Sequence, residues 1–136
     1  KSANLTDTAE LRSKSPLPLI ADENSLYSGD IPGIEGVFDG INIKLMKCGS
    51  IFEAQKMIQM ARERNMQIML GCMIESSVGI TAAAHLSPLV DYADLDGNLL
   101  INNDPYRGVL VKDGYLTLPE ETGLGISLNS DSKNLI

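Results

Sequence analysis

Apolar residues fall in short clusters along this chain, separated by polar, glycine- or proline-bearing stretches. Leu17 to Ala21 is one such cluster, broken abruptly by Asp22, Glu23 and Asn24. Ile41 to Met46 is a second, with Lys44 interrupting an otherwise apolar run. Met66 to Leu70 is a third, and Tyr92 to Leu95 a fourth that closes at Gly97. Runs this short and this uniformly apolar predict buried strands of a parallel sheet rather than alternating, half-solvated ones.

The stretches between them carry helical patterning. Thr6 to Ser15 predicts a helix capped by Thr6 and stopped by Pro16 and Pro18. The segment 24–36, with Gly29, Pro32, Gly33 and Gly36, predicts a short helix with loops. Ser50 and Glu53 have capping-box spacing and open a helix running to about Asn65. Its Ala54, Met57, Ile58 and Ala61 share one face, while Lys56, Arg62 and Glu63 lie largely on the other. Ala-rich Val78 to Leu86 predicts a closely packed helix ended by Pro88, after a loop from Gly71 to Ser77. Strand, loop and helix three times over is the signature of βαβ units, hence an α/β fold.

A doubly wound sheet is one arrangement of such units. A segment of a (β/α) barrel fits better, because every functional-looking group falls at the C-terminal end of a strand, where barrel active sites are built. A complete barrel takes about 250 residues, and 136 is about half of one. Beyond Gly97 the pattern changes. Gly108 to Lys112, Asp113-Gly114 and Tyr115 to Leu118 predict an antiparallel hairpin, and Leu124 to Leu128 a further short strand. The chain therefore divides into a partial barrel (1–97), a C-terminal segment (98–128) and a frayed polar tail (129–136).

Composition narrows the function. A net charge of -7, with no Trp, two Phe and four Tyr, gives neither the basic face nor the stacking platform that nucleic acid requires. No apolar run is long enough to span a bilayer, and the first residues do not form a signal peptide, so a cytoplasmic protein is expected. Cys48 and Cys72 lack CxxC spacing and read as free thiols.

The candidate chemistry sits at the strand ends. A lysine inside an apolar strand loses hydration, which lowers its pKa and suits it to base catalysis; Lys44 could equally pair with a carboxylate and fill space. Lys47, if the strand persists that far, faces away from it by period-two alternation and matters less. Asp22 is either a hard-cation ligand or a solvated strand-end carboxylate. Asp94 and Asp96, at i and i+2, fall on one side of a strand. Such a like-charged pair calls for a metal or an ammonium group between its members, or else belongs to an Asp-Gly turn. His85 reads as a helix-surface or packing residue.

Taken together, Pro18–Glu23, Asn42–Gly49 (NIKLMKCG), Gly71–Ser76 with Ala82–His85, and Ala93–Gly97 (ADLDG) resemble the muconate-lactonizing subgroup of the enolase superfamily. The likeness is strongest to the dipeptide epimerases of the L-Ala-D/L-Glu type, and it spans residues from about 5 to 128. It implies the C-terminal half of a (β/α)7β TIM-like barrel, about strands five to eight, with the segment after Gly97 returning toward a capping domain. It further implies that Asp22 is a Mg²⁺ ligand, that Lys44 is one of two lysines facing the substrate α-carbon, and that Asp94 and Asp96 hold the substrate ammonium group. Glu75, Cys72 and Met73 are implied to line the pocket. The reaction implied is a 1,1-proton transfer on a dipeptide through an enediolate. The other metal ligands and the second lysine would precede this chain, so the fragment is expected to be inactive alone. Muconate or chloromuconate cycloisomerase and o-succinylbenzoate synthase are the alternatives within the superfamily. A non-catalytic half-barrel is the alternative outside it, and in either case exposed sheet edges predict self-association, or pairing with an N-terminal half.

Overall fold

The computed structural model describes residues 4–130. Helix α1 (Leu5–Lys14) leads into strand β1 (Ile20–Ala21), and a 3₁₀ helix (Ser28–Gly33) leads into β2 (Gly40–Ile43). A single turn, α2 (Leu45–Cys48), precedes α3 (Ile51–Glu63) and β3 (Gln67–Leu70). Helix α4 (Ser77–Ala84) and a 3₁₀ turn at Ser87–Leu89 then bring the chain to β4 (Tyr92–Ala93). All pairings are parallel and the spatial order is β1-β2-β3-β4, the order of the sequence. Doubly wound sheets reverse order at a switch point, whereas barrels run sequentially. The sheet is of the barrel kind.

Several local expectations are corrected. Asn4, not Thr6, caps α1, its side chain accepting from the Asp7 N–H. The capping box at α3 is half formed. Ser50 accepts from Glu53 N–H, but the Glu53 carboxylate accepts from the backbone N–H of Ser28 at 2.7 Å and ties the 3₁₀ helix to α3. Most consequential, β2 ends at Ile43. Lys44 is the residue before α2 and keeps extended backbone angles (φ -127°, ψ 125°), so it stands at the strand's tip rather than inside it. Gly49, at φ 82°, then closes α2 in a left-handed conformation that suits glycine and releases Ser50 to cap α3.

The core lies between the sheet and α3. Ala21, Ile41, Ile43, Ile68 and Leu70 face the helix with no exposed surface, against Ala54, Met57, Ile58 and Ala61. Beyond β4, a 3₁₀ turn (Gly97–Leu100) leads to β5 (Tyr106–Arg107), the hairpin β6 (Leu110–Lys112) and β7 (Tyr115–Thr117), and β8 (Ser127–Leu128). The hairpin turns through Asp113 and Gly114, both at positive φ (52° and 80°), as a type I′ turn requires. The expected last strand forms, but it pairs with β5 rather than with the hairpin. This segment docks on α4: Val109 N–H donates to the Thr81 hydroxyl at 2.8 Å, and Asp104 caps Ser77 N–H at 2.6 Å. Of the expected tail, Asn129 is held by backbone and side-chain bonds to Pro105 and Asp104, and residues 131–136 lie outside the described residues.

One device occurs twice at the amino ends of the strands. Arg12, from the last turn of α1, bonds Asp39 Oδ1 at 2.7 Å, while Asp39 Oδ2 accepts from Leu19 N–H at 2.8 Å. Arg62, from the last turn of α3, bonds Asp91 at 2.8 Å, and Asp91 accepts from Ile68 N–H at 2.8 Å. Each aspartate thus locks a helix to the strand after it and the strand after that. Burial raises the Asp39 carboxyl, but its bonds from Leu19 and Arg12 outweigh burial and hold it below the usual range. Arg62 and Ile68 do the same to Asp91 against a smaller burial effect. A depressed folded-state value stabilises above the unfolded value of 3.8 and is lost as pH falls through the folded one. Asp39→Ala and Asp91→Ala are each expected to cost about 1–2 kcal/mol at pH 7, after allowance for solvent screening, and nearly additively. Urea titration at pH 7 and pH 3 checks this; the deficits should shrink at pH 3.

Candidate active site at the carboxyl edge of the sheet

Parallel register decides which side chains can meet. Ile41, Ile68 and their neighbours point to α3, so the alternate residues Gly40, Asn42, Gln67 and Met69 point to the opposite face. The ladder continues one residue beyond the strands, with Gly71 N–H donating to Ile43 O at 2.8 Å and Asp94 N–H to Leu70 O at 2.9 Å. Lys44, Gly71 and Asp94 therefore stand side by side on the face turned from the helix. Asp22, one residue past β1, stands on the same face one row lower. Gly71 contributes no side chain, and a Cβ there would come within 2.6 Å of the Asn42 carboxamide. A gap is thus left between Lys44 and Asp94, with Asn42 as its floor.

On one side of this gap lies a charge cluster. Lys44 Nζ is 3.0 Å from Asp22 Oδ2, and Lys47 Nζ bonds both Asp22 Oδ1 and, at 3.0 Å, Glu23. The strand does not persist to Lys47, so the condition for Lys47 to face away from Lys44 is not met, and Lys47 takes part in the cluster. Because the backbone turns helical at Leu45, positions i and i+3 fall on the same side. The signal was present in the sequence: the β-branched run ends at Ile43, and Leu45-Met46-Lys47 are helix formers. Burial pushes the Asp22 carboxyl up, but hydrogen bonds and charge from Lys47 and Lys44 outweigh it and hold the group below its ordinary value. Lys47 also lowers Glu23, against repulsion from Asp22.

On the other side is a cleft of about 290 Å³ lined by Cys72, Met73, Ile74, Asp94, Asp96, Gly97 and Leu100. The strand ends at Ala93, so Asp94 and Asp96 project from the loop, with Leu95 buried between them. Burial pushes the Cys72 thiol up, and the nearby charges of Asp96 and Asp94 add to the rise. Cys72 lines the wall of this cleft. Glu75 does not join the cleft. Its carboxylate folds back to accept from Met73 N–H at 3.0 Å and occupies the space beside Gly79, closing the turn into α4. His85 sits exposed at the end of α4, with its Nε2 3.4 Å from Leu124 O. Cys48 and Cys72 are both free.

The described residues do not make a hard-cation site of their own. Among the described residues no three His, Cys, Asp or Glu side chains gather as ligands. Asp22 supplies one carboxylate, with both oxygens already engaged by lysines, where Mg²⁺ takes near-octahedral oxygen coordination. No helix among the described residues is long and apolar enough to cross a membrane.

A sequential parallel sheet with its polar groups gathered at the carboxyl edge defines the barrel domain of a (β/α)-barrel enzyme. Residues 1–132 match the family model described as enolase C-terminal domain-like, and the chain belongs to that family. It is 50% identical over 122 residues to the L-Ala-D/L-Glu epimerase of Bacteroides thetaiotaomicron, covering 90% of this chain and 32% of that protein. It is 45% identical over 127 residues to an L-Ala-D/L-amino acid epimerase of Pedosphaera parvula, covering 91% of this chain and 37% of that one. The fold superposes on a dipeptide epimerase from Enterococcus faecalis, solved with Mg and L-Leu-L-Tyr, at a TM-score of 0.84 and 37% identity, over 93% of this chain and 38% of that one. The chain spans about a third of the length of these relatives.

The charges of Asp94 and Asp96 have a direct readout in Cys72. Asp94→Asn with Asp96→Asn removes two charges that raise the thiol, so its thiolate fraction and its alkylation rate at pH 8 should increase. Cys48, raised by burial and by Glu53, should be unaffected. Peptide mapping after timed iodoacetamide treatment checks both thiols in one sample.

Proposed function

We propose that this chain is the C-terminal barrel part of a dipeptide epimerase. The observation that carries the reading is the placement of Lys44 and Asp94 on one face and at one level, with the side-chain-free Gly71 between them. A dipeptide lying over this gap puts its α-ammonium group against Asp94 and Asp96, a pair that needs a cation beside it. Cys72 and Met73 line that end. The C-terminal residue of the dipeptide then lies toward Lys44, which takes the α-proton as general base and leaves an enediolate. The returning proton must come to the opposite face. The other described lysines lie on α1, α2, α3 and the hairpin, and none is placed to deliver it. Asp22 would contribute one carboxylate to a Mg²⁺ site shared with the rest of the enzyme, where the ion would stabilise the enediolate. The acid pair disfavours muconate-type dianions, which have no ammonium group to offer it.

In the full-length enzyme, Lys44→Ala is expected to lower kcat for L-Ala-L-Glu epimerisation by about 10²–10⁴-fold. Asp94→Asn with Asp96→Asn should collapse kcat/KM for dipeptides. α-Proton exchange in D₂O, followed by NMR, reads both; unchanged exchange in either variant overturns the reading. The 136-residue chain alone should show no turnover with L-Ala-L-Glu and Mg²⁺.

The sheet also leaves β1 and β4 without outer neighbours, and Tyr92 and Ala93 of β4 are exposed. Open parallel edges of this kind favour pairing. We infer that the isolated chain self-associates. Light scattering at micromolar concentration should give a mass above the 14.7 kDa monomer, and a clean monomer would count against it.

A further inference from the structure

The charge cluster is unevenly shared. Two adjacent carboxylates, Asp22 and Glu23, face two ammonium groups, Lys44 and Lys47. Lys47 takes Glu23 and one oxygen of Asp22, and its side chain is only 7% exposed. Lys44 is left with one partner among the described residues, Asp22 Oδ2. An ammonium group has three donors, so two of Lys44's stay available on the face that carries Gly71 and Asp94.

We infer that Lys47 is a positioning residue for Lys44. Adjacent carboxylates draw in whatever cation is near. With Lys47 holding Glu23 and half of Asp22, Lys44 is spared that role and keeps a single tether. Without Lys47, Lys44 is the remaining cation in reach among the described residues, and it is pulled across both carboxylates, away from the gap. The geometry of α2 makes this possible: one helical turn after β2 brings Lys47 round to the β1 tip, and Gly49 then ends the turn. The importance of this for turnover rests on the function proposed above, but the geometry does not.

The test is a crystal structure of the chain carrying Lys47→Gln. The expected result is Lys44 Nζ within hydrogen-bonding distance of both Asp22 and Glu23. Lys47→Arg, whose fork can serve both carboxylates, should restore the single Lys44–Asp22 bond. A Lys44 that stays on Asp22 alone in the Gln variant overturns the inference, because a merely structural Lys47 lowers stability without redirecting Lys44. If the Gln variant does not fold, the ¹H–¹⁵N spectrum of the lysine ammonium groups in the unsubstituted chain decides. Lys47 should give a slowly exchanging signal at low temperature, and Lys44 a faster one. A Lys47 signal exchanging as fast as that of Lys112, on the exposed hairpin, overturns the inference. Neither measurement reads activity. Failure here leaves the epimerase reading to its own kinetic test, and failure of that test leaves this geometry standing.

Discussion

Parallel hydrogen bonding in strict sequential register is the constraint from which the site follows. Laterally paired residues in such a ladder point the same way, and the next row points the opposite way. Because Ile41, Ile43, Ile68 and Leu70 must all bury against α3, Lys44 and Asp94 are committed to the other face together. Burial of the four aliphatic side chains is worth about 1.5–3 kcal/mol each, which makes a one-residue slip prohibitive. The polar face is therefore fixed by apolar residues that never touch it.

The helix–strand locks at the amino ends work with this register. Asp39 and Asp91 each bind an arginine from a preceding helix and a backbone N–H of the intervening strand. That device sets helix position relative to strand at the end remote from the chemistry. The carboxyl ends are then free to carry loops that serve binding, a division of labour characteristic of barrels.

At those carboxyl ends, electrostatics replaces packing as the organising force. Asp22 and Glu23 after β1 and Lys44 and Lys47 after β2 neutralise one another across two segments of the chain. Among the described residues the acid pair beyond Gly71 has no such partner, and this asymmetry gives the edge a charge-balanced side and an anionic side. On the far flank, Thr81 and Ser77 of α4 anchor the C-terminal segment by bonds to Val109 and Asp104, which fixes the loop that bears Asp96 and Gly97.

The sequence alone determined the repeating βα order, the buried face of α3, the Asp113-Gly114 turn and the set of charged strand ends. These depend on local periodicity and turn chemistry, which neighbours in the chain suffice to specify. It placed Thr6, Lys47 and Glu75 differently from the structure, for two reasons. Asn4 rather than Thr6 caps α1 because the cap falls where the helical bonding begins. Lys47 and Glu75 are placed by where the chain leaves the strand, and strand ends are set by pairing with residues about 20 to 30 positions away. Tertiary structure alone decided that Glu53 serves Ser28 instead of its own helix start, and that Glu75 folds onto its own loop. Those outcomes turn on which backbone donors are left over once the sheet has formed, and no local pattern records that remainder.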